Sequence, residues 1–557
     1  MGTLGLDNER GLFLGIDFGT TNSVVSIYNF QEGEAQTIPI DGSNIFPTAV
    51  QFEADPEDDT KLARIFGVQA KEAAIIYPQS TVLGIKRMLG EGGKVTVTVG
   101  EREHSFQPEQ VAGEILGYLK QKADEYAQEE LGISGEFSGC VITVPANSSD
   151  RQKKMTKDAA ALAGFDPDSV YLRLEPAASA ISYAVNEEAG KKVLVYDFGG
   201  GTFDACVLEI KVEEAGEPSI SIVSTYGDNN LGGNDIDKVI MDMVYEEFKN
   251  LTGGEIDLFD EDADDGVSKR QKKVALVRLA QAATLAKERL SQTRSTKITL
   301  APLIQEPRIV NINMEISRED FLSHRRTNAL GDAPEIFAKF EGKSVADLVD
   351  ETLASVGRCL EAGGLREADI DEVFLVGGSS SILHVGESIT RKFGKEPFKS
   401  RISPALSISQ GAAHYCNMLM MPTVRGPVVR ERTVHPLGLE IAGRRFLEIV
   451  PAGLDIPKEG LVLESAEPLM TNHDGVTSMA IVVYENMLPA AEKNVPVSRE
   501  GMKRLAGTSL RGIPAGPRGQ EKVRVVFSVG QDNMLKVTAR SLSTDGAVTE
   551  LSVDELY

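Results

Sequence analysis

Apolar positions in the first three quarters of this chain fall into short unbroken runs, and between those runs they recur at helical spacing. Leu12, Phe13 and Leu14 lead into "GIDFGTTNS" at residues 15–23. Far downstream, "VLVYDFGGGTFD" at 193–204 repeats the plan of buried strand, terminal aspartate and Gly/Thr turn. A third strand-to-glycine turn, "DIDEVFLVGGSSS", occupies 369–381. Residues 11–30 read as a pair of strands, and "GCVITVPAN" at 139–147 reads as a strand stopped by Pro145. Helical spacing predicts helices over 107–131, with Val111, Ile115, Leu116 and Leu119 on one side, over 150–164, ending at Gly164, and over 175–185. Leu276, Leu279, Ala283, Ala286 and Leu290 form one stripe of a long helix. Between them "GGEIDLFDEDADDG" at 253–266 reads as a solvated acidic loop. Strands alternating with helices predict α/β layers.

After residue 420 the pattern changes. "MMPTVRGPVVRERTVHP" has no period and reads as a linker. Beyond it the period is two: 478–486, 522–530 and 534–542 read as strands, with Val523, Val525, Phe527 and Val529 on one face. A small β-sandwich is expected there, with 511–520 as a loop. The expected division is 1–425, a linker at 426–436, and 437–557.

A chain of 557 residues with 41% apolar and 25% charged positions suits several globular domains. No apolar run approaches the roughly 18 residues of a membrane span, and "MGTLGLDNERG" lacks the features of a signal peptide. Four scattered cysteines fit a reducing cytoplasm, and six scattered histidines argue against a zinc site. A net charge of −25 argues against nucleic acid as a partner.

The repeated turns suggest chemistry. Glycines let backbone N–H groups approach phosphate oxygens, and a threonine hydroxyl adds a donor. A carboxylate in such a place repels phosphate unless a divalent cation lies between them. Asp17 and Asp197 therefore suggest a duplicated clamp around Mg-ATP. No Walker A pattern is present, nor the loops that accompany "DFG" in protein kinases.

The sequence resembles the 70-kDa heat-shock chaperone family, within the actin-like ATPase superfamily. "GIDFGTTNSVV", "VLGIKRMLG", "VITVPANSSDRQKKMTKDAAALAGF", "LEPAASAISYAV", "VYDFGGGTFDACVLEI", "GDNNLGGNDIDKVI", "FLVGGSSSILHV" and "ISPALSISQGAA" follow the family's order and spacing. The resemblance implies a duplicated actin-like ATPase fold, two lobes around a nucleotide cleft, followed by a peptide-binding β-sandwich. It implies ATP or ADP with Mg2+ as cofactors. Gly19, Thr20 and Thr21 match the first phosphate loop. Gly199, Gly200, Gly201 and Thr202 match the second, with Asp204 beside it. Lys86 matches the phosphate-facing lysine and Glu175 the glutamate near metal and water. Asp17 and Asp197 match the residues that hold the metal through its waters. Gly232, Gly233, Lys287, Ser291, Gly377, Gly378 and Ser379 match nucleotide-binding positions.

Departures from the family pattern lie elsewhere. Thr284 replaces a glutamate and Ser381 an arginine on the adenosine side, and Ala405 replaces an acid. Leu174, Ala177, Asn147 and Lys153 depart at coupling positions. The linker carries "RERT" at 430–433 in place of a leucine run, which predicts weak docking of the sandwich and weak response to a J-domain co-chaperone or nucleotide exchange factor. Leu469, Met479 and Ile481 match cleft-lining positions for unfolded or apolar peptide segments, and serve equally as sandwich core. The chain stops at "LSVDELY", without the family's helical lid, so peptide exchange is expected to be fast. Two functions follow as expectations: a slow ATPase chaperone, or a non-cycling, nucleotide-stabilised scaffold or co-chaperone in a dedicated complex.

Overall fold

The computed structural model describes residues 12–552 apart from 31, 59–60, 90–92, 134–136, 146–147, 185–189, 213–217, 229–230, 261, 326–341, 399–402, 421–427, 431, 434, 458–459, 487, 489–493, 500, 531–533 and 543–547. Asn147 lies outside the described residues, as do residues 426, 427, 431 and 434 of the expected linker.

The first sheet contains β1 (Leu12–Asp17), β2 (Asn22–Asn29), β3 (Glu34–Thr37), β4 (Phe137–Val144) and β5 (Val170–Leu174), in the order β5–β4–β1–β2–β3. β1, β2 and β3 pair antiparallel in succession, whereas β4 runs parallel to β1 and β5 parallel to β4. The second sheet contains β6 (Lys191–Phe198), β7 (Phe203–Val212), β8 (Pro218–Asp228), β9 (Glu372–Val376) and β10 (Val428–Arg430), in the order β9–β6–β7–β8–β10. Its β6–β7–β8 meander and parallel β9 repeat the first sheet's plan. The repeated turns therefore occupy equivalent places: each joins the first strand of a meander to the second.

Helices cover both sheets. In α1 (Pro108–Glu129) Val111, Ile115, Leu116 and Leu119 are buried, as their spacing predicts. α2 (Asp150–Leu162) starts where the Ser149 hydroxyl accepts the Gln152 N–H at 3.1 Å. α3 (Glu175–Ala184) follows β5 directly and crosses α7 (Ser407–Met420) at close range. A Cβ on Gly411 would stand 1.7 Å from the Ala178 carbonyl, so only glycine permits that crossing. The second lobe carries α4 (Gly233–Thr252), α5 (Lys269–Leu290) and α6 (Val345–Ala362). Leu279, Ala283, Ala286 and Leu290 of α5 are buried, while Leu276 packs half-buried beside them.

The acidic segment 253–266 differs from expectation. Lys272 is fully buried, with its Nζ 2.7 Å from Asp265 and 2.6 Å from the Asp260 carbonyl. The loop wraps a buried cation, and that is why its acids are not all solvated.

The last strands form two sheets: β11 (Leu437–Ile441), β12 (Arg445–Val450), β14 (Ser478–Asn486) and β15 (Met502–Arg511) in one, and β13 (Leu461–Glu464), β16 (Lys522–Val529), β17 (Leu535–Ser541) and β18 (Val548–Ser552) in the other. Val523, Val525, Phe527 and Val529 fill the core between them.

The charged linker docks by its backbone, contrary to expectation. β10 adds a parallel strand to the edge of the second lobe's sheet, Val428–Arg430 alongside Ser219–Ser221. Main-chain hydrogen bonds at a sheet edge do not require apolar side chains. Arg432 then pairs with Asp455 at 2.6 Å, which offsets its charge.

Candidate functional site

β1 and β6 both end at the floor of the cleft between the lobes. β1 delivers Asp17, whose Oδ1 accepts the Thr143 hydroxyl from neighbouring β4 at 3.3 Å. β6 delivers Asp197, with Asp204 directly opposite it on β7. β9 runs beside β6 with Val376 level with Asp197, so Gly377 turns immediately next to that carboxylate. Gly377 has φ 79°, and a Cβ there would lie 2.5 Å from the Phe198 carbonyl and 2.7 Å from Asp197 Oδ1.

Glu175 begins α3 at the end of β5, and Lys86 lies in the short helix Ile85–Met88. The two meet as a buried ion pair, Nζ to Oε1 2.5 Å. Around this single lysine stand Asp17, Glu175 and Asp197. Burial, then the charge of Glu175, raises the Asp17 carboxyl to about 7, against the opposing pull of Lys86 and Thr143. Burial raises Asp197 well above its usual range, reinforced by Glu175, Asp204 and Asp17, with Lys86 opposing. Asp197 Oδ2 is buried without a hydrogen-bond partner among the described residues.

The second turn is pinned from all sides. Gly233 N–H donates to the Gly199 carbonyl at 2.9 Å and Asn234 N–H to the Gly200 carbonyl at 2.8 Å, which ties the turn to the start of α4. The Ser379 hydroxyl donates to the same Gly199 carbonyl at 2.8 Å. A Cβ on Gly233 would meet Ser379 Oγ at 2.1 Å, and one on Gly232 the Gly200 carbonyl at 2.5 Å. The turns also face each other: a Cβ on Gly200 would stand 2.3 Å from Thr21 Oγ1, and one on Gly201 3.0 Å from Thr20 Oγ1. Thr202 closes the turn by accepting the Gly199 N–H at 3.1 Å. Gly19 precedes Thr20 in the facing turn, with no space for a side chain beside the Asn22 carbonyl.

Two cross-cleft residues were not singled out from sequence. Arg87 donates from Nη2 to the Gly201 carbonyl at 2.9 Å and stands 4.0 Å from Asp235. Asn234 accepts the Thr21 hydroxyl at 3.3 Å. Arg87 adjoins Lys86 in "GIKRM", and Asn234 follows "GG" in "LGGND"; only this adjacency to singled-out residues marked them.

Away from the phosphate turns the arrangement is thinner. Lys287 Nζ is held by Asp237 at 2.9 Å and the Gly233 carbonyl at 2.9 Å, and Thr284 donates to Asp237 at 2.8 Å. The Ser291 hydroxyl donates back to the Lys287 carbonyl at 3.1 Å. Gly378 and Ser381 are exposed.

In the sandwich, Ile481 is 1% exposed and belongs to the core, so its side chain offers no surface to a peptide. Leu469 and Met479 pack half-buried at the core's rim.

The Hsp70 family model, described as "Hsp70 protein", matches residues 13–327 and 337–555. With its duplicated sheets, central cleft and terminal sandwich, the chain belongs to the Hsp70 family, a family of ATPases and chaperones. It is similar to the chaperone protein DnaK of Thermotoga petrophila and to that of Thermotoga maritima. Each is 33% identical over 547 residues, covering 96% of this chain and 79% of the relative.

Proposed function

We propose that this chain is an ATP-dependent chaperone that binds Mg-ATP between its lobes, hydrolyses it slowly and binds apolar peptide segments in its sandwich. One observation carries the reading: three carboxylates, Asp17, Glu175 and Asp197, converge on one lysine between two glycine turns. The surplus negative charge suits a divalent cation, and the unpartnered Asp197 Oδ2 is the kind of atom that a metal-bound water satisfies. Asp17 and Asp197 would hold Mg2+ through its waters, and the cation would neutralise phosphate charge as the bond breaks.

The chain's own groups divide the remaining work. Backbone N–H groups of the 19–21 and 199–202 turns suit phosphate oxygens. Lys86 is placed to stabilise charge that develops on the transferring phosphoryl group and to orient the attacking water. Glu175 fixes Lys86 through their ion pair. Lys287, Ser291, Gly377, Gly378 and Ser379 would take the nucleoside. Thr284 and Ser381 offer no charge to the base, so losing a stacking cation lowers affinity by roughly 0.5–2 kcal/mol. Leu469 and Met479 are the proposed peptide contacts.

The cytoplasm is the proposed compartment. The structure supplies one fact on this point: among the described residues no helix is long and apolar enough to cross a membrane. Single-turnover ATP hydrolysis with and without an apolar peptide tests the reading. Slow turnover accelerated by peptide supports it. Tight ATP retention with no turnover overturns it in favour of a nucleotide-stabilised scaffold.

A further inference from the structure

Outside the cleft, three side chains of metal-ligand type converge in the second lobe. Asp242 and Glu246 are four residues apart on α4 and so share one face. His324 ends the helix Arg318–Ser323, and its backbone N–H donates to the Asp320 carbonyl at 2.8 Å, which fixes its approach. One donor atom from each of the three lies within 4.8 Å of the others, and His324 Nε2 is 3.1 Å from Asp242 Oδ2. In a tetrahedral zinc site with bonds near 2.0–2.1 Å, donors stand about 3.3 Å apart. The Asp242–His324 spacing is close to that of two ligands of one ion, and a Glu246 oxygen lies within 4.8 Å of both. Asp242 is buried, while Glu246 and His324 are half-buried, which leaves a way in from solvent.

We propose that Asp242, Glu246 and His324 bind a zinc-type divalent cation, separate from the nucleotide site. The imidazole nitrogen decides the class of metal. Magnesium and calcium take oxygen ligands almost alone, whereas one imidazole with two carboxylates is a common zinc donor set. Three protein ligands leave a fourth position for water. Asp242 and Glu246 lie on the helix that begins at Gly233, and His324 lies on a separate segment that follows the β-hairpin of Ser295–Ile304 and Val310–Ser317. The ion would thus tie that segment to the helix whose N-terminus pins the second phosphate turn. The scatter of the histidines in sequence reads against zinc, but His324, 82 residues from Asp242, meets it only through the fold.

The test is titration of the full chain, free of nucleotide, with Zn2+, followed by calorimetry and by the visible absorption of Co2+ as a probe. One zinc per chain, tetrahedral cobalt bands, and persistence of both in excess Mg2+ are expected. Glu246→Gln keeps the shape of a half-buried side chain and should weaken zinc binding at least about tenfold, as should His324→Ala. Asp197→Asn, at the nucleotide cleft, should leave zinc affinity unchanged, which separates this site from the proposed ATP site. Absence of one-to-one zinc binding, or binding unchanged in Glu246→Gln and His324→Ala alike, overturns the proposal.

Discussion

The two aspartate-led turns share a plan and differ in their surroundings. Asp17 is half-buried and its carboxylate accepts a hydroxyl from Thr143. Asp197 is buried, opposes Asp204 across a strand pair, and keeps one oxygen without a hydrogen-bond partner among the described residues. The second turn is tied to α4 and to Ser379, and Arg87 reaches across to it from the first lobe. Duplication thus supplied two copies of one loop, and the packing around the second made it a wall tied by hydrogen bonds to α4, Ser379 and Arg87. The concentration of charge at the wall is what a cation would relieve.

Lys86 is the cation that serves both aspartates, and its loss should have the greatest effect. Lys86→Ala should lower single-turnover hydrolysis at least about tenfold, with a smaller change in ATP affinity, as for a group acting mainly in the transition state. It should also destabilise the protein by about 3–5 kcal/mol, because Glu175 is left buried and unpaired. Pairing it with Glu175→Gln should restore much of that stability without restoring hydrolysis, as chemical denaturation beside the kinetic assay would reveal. Unchanged hydrolysis in the single variant would remove Lys86 from the site.

Replacing each aspartate in turn sharpens the contrast. Asp197→Asn should raise the stability of the nucleotide-free protein by about 1–3 kcal/mol, since folding no longer has to bury that carboxylate or take up a proton on it, while most of the thermal shift given by Mg-ATP disappears. Asp17→Asn should change both quantities less, because Thr143 already satisfies part of that carboxylate. Equal effects of the two variants would mean that the difference in burial has no energetic consequence.

The same contrast has a pH dependence. Asp17 is raised to about 7 from an ordinary value of 3.8, so the folded protein binds a proton that the unfolded chain has released. Stability from this group is complete below the ordinary value and is lost as pH rises through about 7. Nucleotide-free protein should therefore weaken across that window, and Mg-ATP should stabilise it more at pH 8 than at pH 6. Asp17→Asn should flatten its part of the slope. A slope of the opposite sign would show that Asp17 ionises easily in the folded chain.

Much of this site was legible because strand-end motifs are local. A buried run, an acid and a glycine turn are contiguous in sequence, so Asp17, Asp197 and Gly199–Gly201 could be found without coordinates. Residues brought in by the crossing of elements could not. Arg87 and Asn234 act across the cleft, and Lys272 is buried by a loop that looked solvated. Ile481 shows a related limit: period two tells which face of a strand is apolar, not whether that face meets core or cleft. The linker's side-chain polarity gives no sign of its docking, because that docking is made by main-chain pairing at a sheet edge.

The smallest expected effects lie at that linker, where the Arg432–Asp455 pair is partly open to solvent and the backbone does the docking. Arg432 and Asp455 are 33% and 47% exposed, so solvent screens their pair and Arg432→Leu should cost no more than about 1 kcal/mol. A junction contact of another kind lies nearby. Glu485 would be raised by burial, yet His435 at 3.0 Å, Lys503 and Lys153 of α2 hold it down to about 2. Since Lys153 belongs to the first lobe, this carboxylate ties the sandwich to it electrostatically. Replacing Arg430, Glu431 and Arg432 together by leucine should therefore change the ratio of peptide affinities in ATP and ADP by less than about fivefold, roughly 1 kcal/mol. Val428→Pro with Val429→Pro should do more. Successive N–H groups of a strand point to opposite sides, so one of the two prolines must remove a hydrogen bond to Ser219–Ser221. Fluorescence anisotropy of a labelled apolar peptide, with each nucleotide in turn, measures both variants. A large gain in coupling from the leucine variant, with none lost in the proline variant, would return the control of docking to the side chains.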